Sequence, residues 1–185
     1  MGTRSIITFM STIETPVKLP YRYGDPTEPR LEGVSIYKHW DGYPETTVPE
    51  LQEFLKWNGN RNDDLEYTVA NYVYWYKNKH QRQQEADGHG DLGTNGCGHT
   101  GLGITVKKFF LGDTKQICKE AYESHGAEYV YVVDLDDKKI RELTGLEEWG
   151  FEEKWLNAHF LHPNVLIFEC LFNFFLNWSR TFIYP

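Results

Sequence analysis

The chain has 185 residues, of which 40% are hydrophobic, and this is enough to bury the core of a single domain without disulfide or metal cross-links. Its formal net charge is −8 with histidine neutral. Such a charge argues against non-specific nucleic-acid binding and against attachment to anionic membranes, because proteins of both classes collect Lys and Arg on one face. Aromatic residues make up 16% of the chain, which indicates either a ring-rich core or surfaces that stack on a ligand.

The cysteines and the N-terminus predict a reducing, cytoplasmic setting. Cys97, Cys118 and Cys170 cannot all pair with one another, and the chain has no CxxC spacing. The first residues contain no apolar run of the kind that a signal peptide carries. Ile6 also stands where a myristoylation signal needs Ser or Thr.

The first elements in chain order are two strands and two helices. Strands are expected at 5–10 and 34–39, and the prolines between them predict a loop or extended insertion over 14–30. The first helix is expected near residue 47, because Thr47 and Glu50 fit a capping box.

A longer helix is expected from residue 63 or 64 to about residue 84, with Asn62 or Asp63 as its cap. The apolar stripe of this helix is expected to consist of Leu65, Val69, Tyr72, Val73 and Tyr76. The second half of the chain continues the alternation of strands and helices. The expected elements are a glycine-rich loop over 86–103, a strand over 104–110, a helix over 113–125, a hairpin of strands over 128–135 and 139–143, and a polar helix over 147–159. Gly126 is expected to end the helix over 113–125, and the residues from Tyr129 to Val133 alternate as a strand does.

The C-terminal segment 165–178 is the most apolar part of the chain, but it is too short to span a bilayer. Phe168, Phe172 and Leu176 recur at helical spacing, which predicts a buried core helix. A partner-binding helix and a membrane contact are the alternatives for this segment. Together, the elements predict one α+β domain over 1–185, with an antiparallel or mixed sheet of four to five strands packed with helices.

The segment from Ile36 to Pro44 carries the densest chemistry in the chain. It places His39 and Asp41 among the large rings of Trp40 and Tyr43. Polar groups that transfer protons, set among flat apolar surfaces, are typical of a ligand site. The same residues can also simply hold a turn.

The chain resembles a family of small proteins encoded by bacteriophages and bacteria. The resemblance is carried by the opening Gly2-Thr3-Arg4-Ser5, by the motif from Tyr37 to Pro44, and by Tyr129-Val130-Tyr131 with Asp134. It implies a phage or bacterial setting, and the host cytoplasm if a phage encodes the protein. The family has no established activity, so the resemblance implies no mechanism and no cofactor.

The two opening motifs can form one site if strands one and two are antiparallel neighbours. Arg4, with Ser5 beside it, would then offer a two-pronged donor to a phosphate or carboxylate. His39 would exchange a proton near neutral pH, and Asp41 would fix its tautomer or act as a base. Trp40 and Tyr43 would stack on a base or sugar. In the structural alternative, Arg4 and Asp41 form an ion pair.

The glycine-rich segment holds a second group of candidate residues. His89, Asp91, Cys97 and His99 can supply four ligands for zinc, although their spacing matches no zinc signature, so no cofactor is favoured. A GxGxxG is present, but it does not follow a strand and open a helix. A loop that closes over an anion is the preferred interpretation.

The remaining histidines are interpreted as solvated. These are His80, His125, His159 and His162.

The sequence therefore favours a cytoplasmic protein that binds a small anionic, nucleotide-like ligand, with sequestration of a host signalling nucleotide as one such role. One alternative is a hydrolase or nuclease-like enzyme with His39 and Asp41 as its acid–base pair. The other is an interaction protein that acts on a host protein or forms a homo-oligomer.

Overall fold

The structure is a computed structural model that describes residues 3–17, 20, 23–86, 101–144 and 152–157. The described residues form strands, three α-helices and one 3-10 turn in an α+β arrangement. The elements are β1 (Ser5–Pro16), β2 (Thr27–Lys38), α1 (Pro44–Asn58), the 3-10 turn (Gly59–Asp63), α2 (Leu65–Ala86), β3 (Leu102–Thr105), α3 (Thr114–His125), β4 (Tyr129–Asp134), β5 (Lys139–Thr144) and β6 (Glu152–Asn157).

One open mixed sheet of six strands organises the fold, in the order β3-β2-β1-β4-β5-β6. The central pair, β1 and β4, is parallel, and every other pair of neighbours is antiparallel. The α+β class and the mixed sheet are confirmed. The sheet has slightly more strands than the four to five predicted.

The loop predicted over 14–30 is wrong at both of its ends, because strands β1 and β2 run through them. The two strands form a long hairpin whose register pairs Ser5 with Lys38 and Pro16 with Thr27. Prolines are tolerated here because proline is accepted at strand ends and on edge strands. Pro16 ends β1, and the described part of β3 pairs with Ser35–Lys38 alone, which leaves the Pro29 half of β2 at an edge.

Helices α1 and α2 cover one face of the sheet and bury its larger core. The predicted stripe of α2 is confirmed, since Leu65, Val69, Tyr72 and Tyr76 are buried. Large rings fill the space between the helices and β1, with the Phe9 and Tyr72 ring centroids 5.2 Å apart. Part of the high aromatic content is therefore core.

Helix α3 covers the opposite face. Val130 and Val132 point to this side of β4, while Tyr131 and Val133 point to the side of α1 and α2. This alternation along one strand shows why β4 reads as continuously apolar in the sequence, because both of its faces are buried. Asp113 caps α3 by accepting a hydrogen bond from the Gln116 backbone, and Gly126 ends it in the left-handed conformation, as predicted.

The capping box predicted for the first helix is wrong. Helix α1 begins at Pro44, one turn earlier than expected, and its N-cap residue Tyr43 makes no side-chain capping bond. Proline suits the first helical position, because its missing N–H would have no partner there. Thr47 and Glu50 consequently lie inside the helix, where both contact Lys38.

Three further features differ from the prediction. Residues 152–157, expected within a polar helix, form strand β6, because Leu156 reaches the core and the segment pairs with β5 along its whole length. Strand β3 is shorter and earlier than the expected 104–110. The cap of α2 is Asp64, which accepts a hydrogen bond from the Tyr67 backbone. The α2, α3 and β4–β5 hairpin predictions are confirmed.

The predicted C-terminal helix over 165–178 and most of the glycine-rich segment 86–103 lie outside the described residues. Within the described ranges, no helix is both long enough and apolar enough to cross a membrane.

Gly33 on β2 gives a test of how tightly the α3 side is packed. A Cβ at this position would lie 2.7 Å from Cδ1 of the buried Phe110 ring. We expect Gly33→Ala to lower the free energy of unfolding by about 1–3 kcal/mol, because the ring must shift. Gly103→Ala is the matched control on β3, since its Cβ would meet nothing within 4 Å. Urea unfolding of both variants measures the difference, and equal effects would contradict the packing described.

Candidate functional site

Strands β1 and β2 are antiparallel neighbours, which is the condition that the proposed site required, so the two motifs meet at one end of the sheet. The Ser5–Lys38 register places Arg4 opposite the start of the His39–Tyr43 segment. The Gly42 backbone N–H donates to the Thr3 carbonyl at 3.0 Å, which fastens this segment to the start of β1.

The side chains of the two motifs divide between the faces of the sheet. Ser5 and Lys38 are cross-strand partners and point toward α1 and α2. Arg4 lies against Gly126 at the end of α3, where a Cβ would come within 2.8 Å of its guanidinium. His39 contacts Tyr37, which packs on the α3 side.

Six side chains linked by contacts at this end of the sheet form what we term the edge cluster: Arg4, Tyr37, His39, Trp40, Lys107 and His125. The Tyr37 hydroxyl lies 2.7 Å from His39 Nδ1, and the Tyr37 ring centroid lies 5.4 Å from that of His125. The His39 and Trp40 rings meet edge to face, with their centroids 4.4 Å apart. Trp40 is 44% exposed, so part of its indole is open to solvent. The cluster presents rings and imidazoles together.

Lys107 and Arg4 supply the positive charge of the edge cluster. Burial lowers the pKa of His125 below its ordinary value, and the charge of Lys107 lowers it further. Among the described residues, no carboxylate forms an ion pair with Arg4 or Lys107. Their charges therefore remain available to an anion.

Gly101 holds His39 in place from the side of β3. The His39 backbone N–H donates to the Gly101 carbonyl at 2.9 Å. A Cβ on Gly101 would lie 2.7 Å from the His39 Cβ, and its φ of 54° is in the left-handed region. A glycine at this position lets the chain approach His39 closely.

Asp41 and Tyr43 make their contacts with residues other than the His39 imidazole. Asp41 has a φ of 53°, and its carbonyl accepts hydrogen bonds from the hydroxyls of Thr46 and Thr47. Tyr43 lies nearest Tyr129, with a ring distance of 6.3 Å. In the described part of the chain, the hydrogen-bond partner of the His39 ring is Tyr37 and not Asp41. The described residues also show no ion pair between Arg4 and Asp41.

Below the edge cluster, on the α1 and α2 side, lies a buried ion network that the sequence did not reveal. The Lys38 ammonium is fully buried and donates to Glu50 at 2.7 Å and to Thr47 at 3.2 Å. The other oxygen of Glu50 lies 3.1 Å from His80 Nε2, and the His80 ring packs 4.2 Å from that of Tyr76.

The partners of Glu50 in this network stabilise its ionised form. Burial alone would raise the pKa of Glu50, but the hydrogen bond with His80 and the charge of Lys38 bring it below its ordinary value. Burial raises the pKa of Tyr76, and the carboxylates of Glu50 and Asp41 raise it further. Glu50 is therefore ionised and Tyr76 neutral at physiological pH.

One signal in the sequence could have found this network. Lys38 follows Val34 and Ile36 at a spacing of two, so it occupies the buried phase of its strand, where lysine is rare without a partner. Interpreting His80 and His125 as solvated was wrong, because both are partly buried and have ring neighbours. His159 and His162 lie outside the described residues.

Ser5 lies next to this network but does not join it. Its hydroxyl is fully buried and has no hydrogen-bond partner among the described residues. Gly42 covers it, because a Cβ on Gly42 would lie 2.9 Å from the Ser5 Cβ. Ser5 therefore packs under the motif and is not open to a ligand.

The low-ranked zinc candidates His89, Asp91, Cys97 and His99 all lie outside the described residues. Within the ranges that the structure describes, no three His, Cys, Asp or Glu side chains are grouped so that they could hold a metal ion.

Comparison with known proteins gave no match to a family model, to a curated protein sequence or to a solved structure.

Glu50 gives a test of the buried network. We expect Glu50→Gln to lower the free energy of unfolding by about 3–5 kcal/mol at pH 7, because Lys38 then stays buried without its carboxylate. The folded pKa of Glu50 is lowered, so its ionised form stabilises the protein above about pH 4.5, and this contribution is lost as the pH falls through the folded pKa. The gap between wild type and variant should therefore narrow in acid, as measured by urea unfolding across pH.

Glu53→Gln is the matched control on the same helix. Glu53 pairs with Lys79 at 2.6 Å but is largely exposed, so its loss should cost at most about 1 kcal/mol. Similar losses for the two variants, or a gap for Glu50→Gln that does not change with pH, would count against the network.

Proposed function

We propose that the protein binds a small anionic ligand that carries a flat ring, and that the edge cluster is its site. The observation that carries the proposal is the exposed Arg4 guanidinium, which no described carboxylate neutralises, beside a surface of aromatic and imidazole rings. A planar two-pronged donor next to stacking surfaces suits a ligand with a phosphate or carboxylate and a ring.

The distribution of charge on the protein favours an anionic ligand at the edge cluster. The whole chain carries a net charge of −8, so the Arg4 guanidinium and the Lys107 ammonium, neither of which pairs with a carboxylate among the described residues, stand out from an acidic background. Such a local field attracts anions and orients them on approach. Asp41 and Glu128 are exposed acids on the two segments whose backbones bond to Thr3 and Arg4, and neither forms an ion pair with Arg4 in the described structure.

The rings supply the second half of the recognition. Trp40 offers a half-exposed indole, and base–aromatic stacking contributes about 1–3 kcal/mol per base. His39 is oriented by the Tyr37 hydroxyl, which leaves Nε2 as the ring nitrogen that can meet a ligand. These features together favour a nucleotide-like molecule. The resemblance to phage and bacterial proteins suggests sequestration of a host signalling nucleotide as the biological role.

Arg4 is the residue whose removal tests the proposal. We expect a panel of nucleotides, screened by thermal shift, to contain compounds that raise the melting temperature of the wild type. Arg4→Ala should weaken the affinity for them by about tenfold to a hundredfold, because a charge-assisted bond of about 1.5–3 kcal/mol is lost. Arg30→Ala is the matched control, since Arg30 lies at the far end of the hairpin and pairs with Glu28.

The same screen separates binding from catalysis. Each compound that binds is recovered and analysed for products, in the wild type and in His39→Ala. If the ligand is recovered unchanged, the protein is a binding protein. If a product forms, and His39→Ala abolishes its formation while the fold stays intact, the protein is instead the hydrolase or nuclease-like enzyme. A flat response across the panel, or a loss equal in Arg4→Ala and Arg30→Ala, would refute the site.

A further inference from the structure

A groove on the outer surface of helices α1 and α2 lies on the other side of the molecule from α3. Its volume is about 510 Å³, and its walls combine aromatic rings with charged side chains. The residues that define this helix groove are Glu53, Trp57, Tyr74, Trp75, Lys79 and Arg82.

Two large rings in the helix groove remain open to solvent. Trp57 is 52% exposed and Tyr74 is 62% exposed, although the neighbouring Trp75 is buried in the core. Tyr67 lies two turns before Tyr74 on the same face of α2 and is 56% exposed. Exposed side chains on this face of α2 thus continue from Tyr67 through Tyr74 to Arg82, along about 22 Å of helix. Such a length exceeds a small molecule and suits a peptide segment.

The charges of the groove indicate which kind of segment fits. Lys79 is already engaged, because its ammonium lies 2.6 Å from Glu53 and 4.8 Å from the centre of the Trp75 ring. Arg82 is exposed and pairs with no carboxylate in the part of the chain that the structure describes. The groove therefore has a net positive charge on a chain of net charge −8.

We propose that the helix groove docks an acidic segment of a partner protein, with Trp57 and Tyr74 as apolar anchors and Arg82 as the contact for a carboxylate. Trp, Tyr and Arg are the residues that most often dominate the binding energy of protein interfaces. The charge of the groove is what favours an acidic partner, since its lining holds two cations, Lys79 and Arg82, against one carboxylate, Glu53. This inference is independent of the ligand proposed for the edge cluster.

Selection of peptides on the full chain tests the proposal. A display library of random peptides of about twelve residues is selected on the wild type and counter-selected on the double variant Trp57→Ala/Tyr74→Ala. We expect the enriched peptides to combine Asp or Glu with an apolar residue. Their affinity should fall at least about tenfold in Trp57→Ala and in Arg82→Glu, as measured by titration calorimetry.

Tyr122→Ala is the matched control, because Tyr122 is an aromatic residue on α3 with 49% exposure. It should leave peptide affinity unchanged, and thermal unfolding should show that every variant is folded. The proposal is overturned if nothing enriches beyond the counter-selection, if the enriched peptides lack acidic residues, or if Arg82→Glu binds them as well as the wild type does. Sedimentation that shows a dimer lost in Trp57→Ala would identify the groove as a self-interface and would also overturn it.

Discussion

A fully buried ammonium group cannot stay charged without a carboxylate beside it, and Lys38 imposes this requirement on the end of β2. Glu50 meets the requirement, which fixes how α1 sits on the sheet, and His80 ties α2 to the same carboxylate. The His39–Tyr43 segment leaves the strand directly after Lys38 and must return to start α1 within reach of it. The path of the His39–Tyr43 backbone is therefore set on the α1 and α2 side, by an ion network of Lys38, Glu50 and His80 that lies outside this segment.

At this end of the sheet, the side chains on one face are buried and those on the other face reach the surface. Side chains that point toward α1 and α2, such as Ser5 and Lys38, are buried and hold the backbone. Residues that lie toward α3, such as Arg4 and His39, meet rings and positive charge at the surface. Because side chains alternate along a strand, one residue of a motif is buried and holds the backbone while its neighbour lies at the surface.

The sequence allowed the periodic elements to be predicted, because their signals are local. The apolar stripe of α2, the caps of α3 and the alternation in β4 each follow from spacing within one element. Spacing alone gave the wrong element at β6, which was expected to be part of a helix. Six residues are too few to distinguish a strand from a helix, and it is the pairing with β5 that makes this segment a strand. The buried phase of Lys38 indicates locally that this lysine needs a partner, but it does not indicate which one. The contacts of Glu50 with His80 and of Tyr37 with His125 join residues far apart in the chain, so no local pattern could reveal them.

The parallel pairing of β1 with β4 also bears on how the chain reaches its native state. The two strands at the middle of the sheet are separated by more than a hundred residues, so β1 keeps one edge open until Tyr129–Asp134 has left the ribosome. Contacts between such distant segments slow folding, and an open apolar edge invites pairing with other chains. The β1–β4 pair at the middle of the sheet can therefore form only after most of the chain has been synthesised. Fragments that stop before β4 should aggregate on expression.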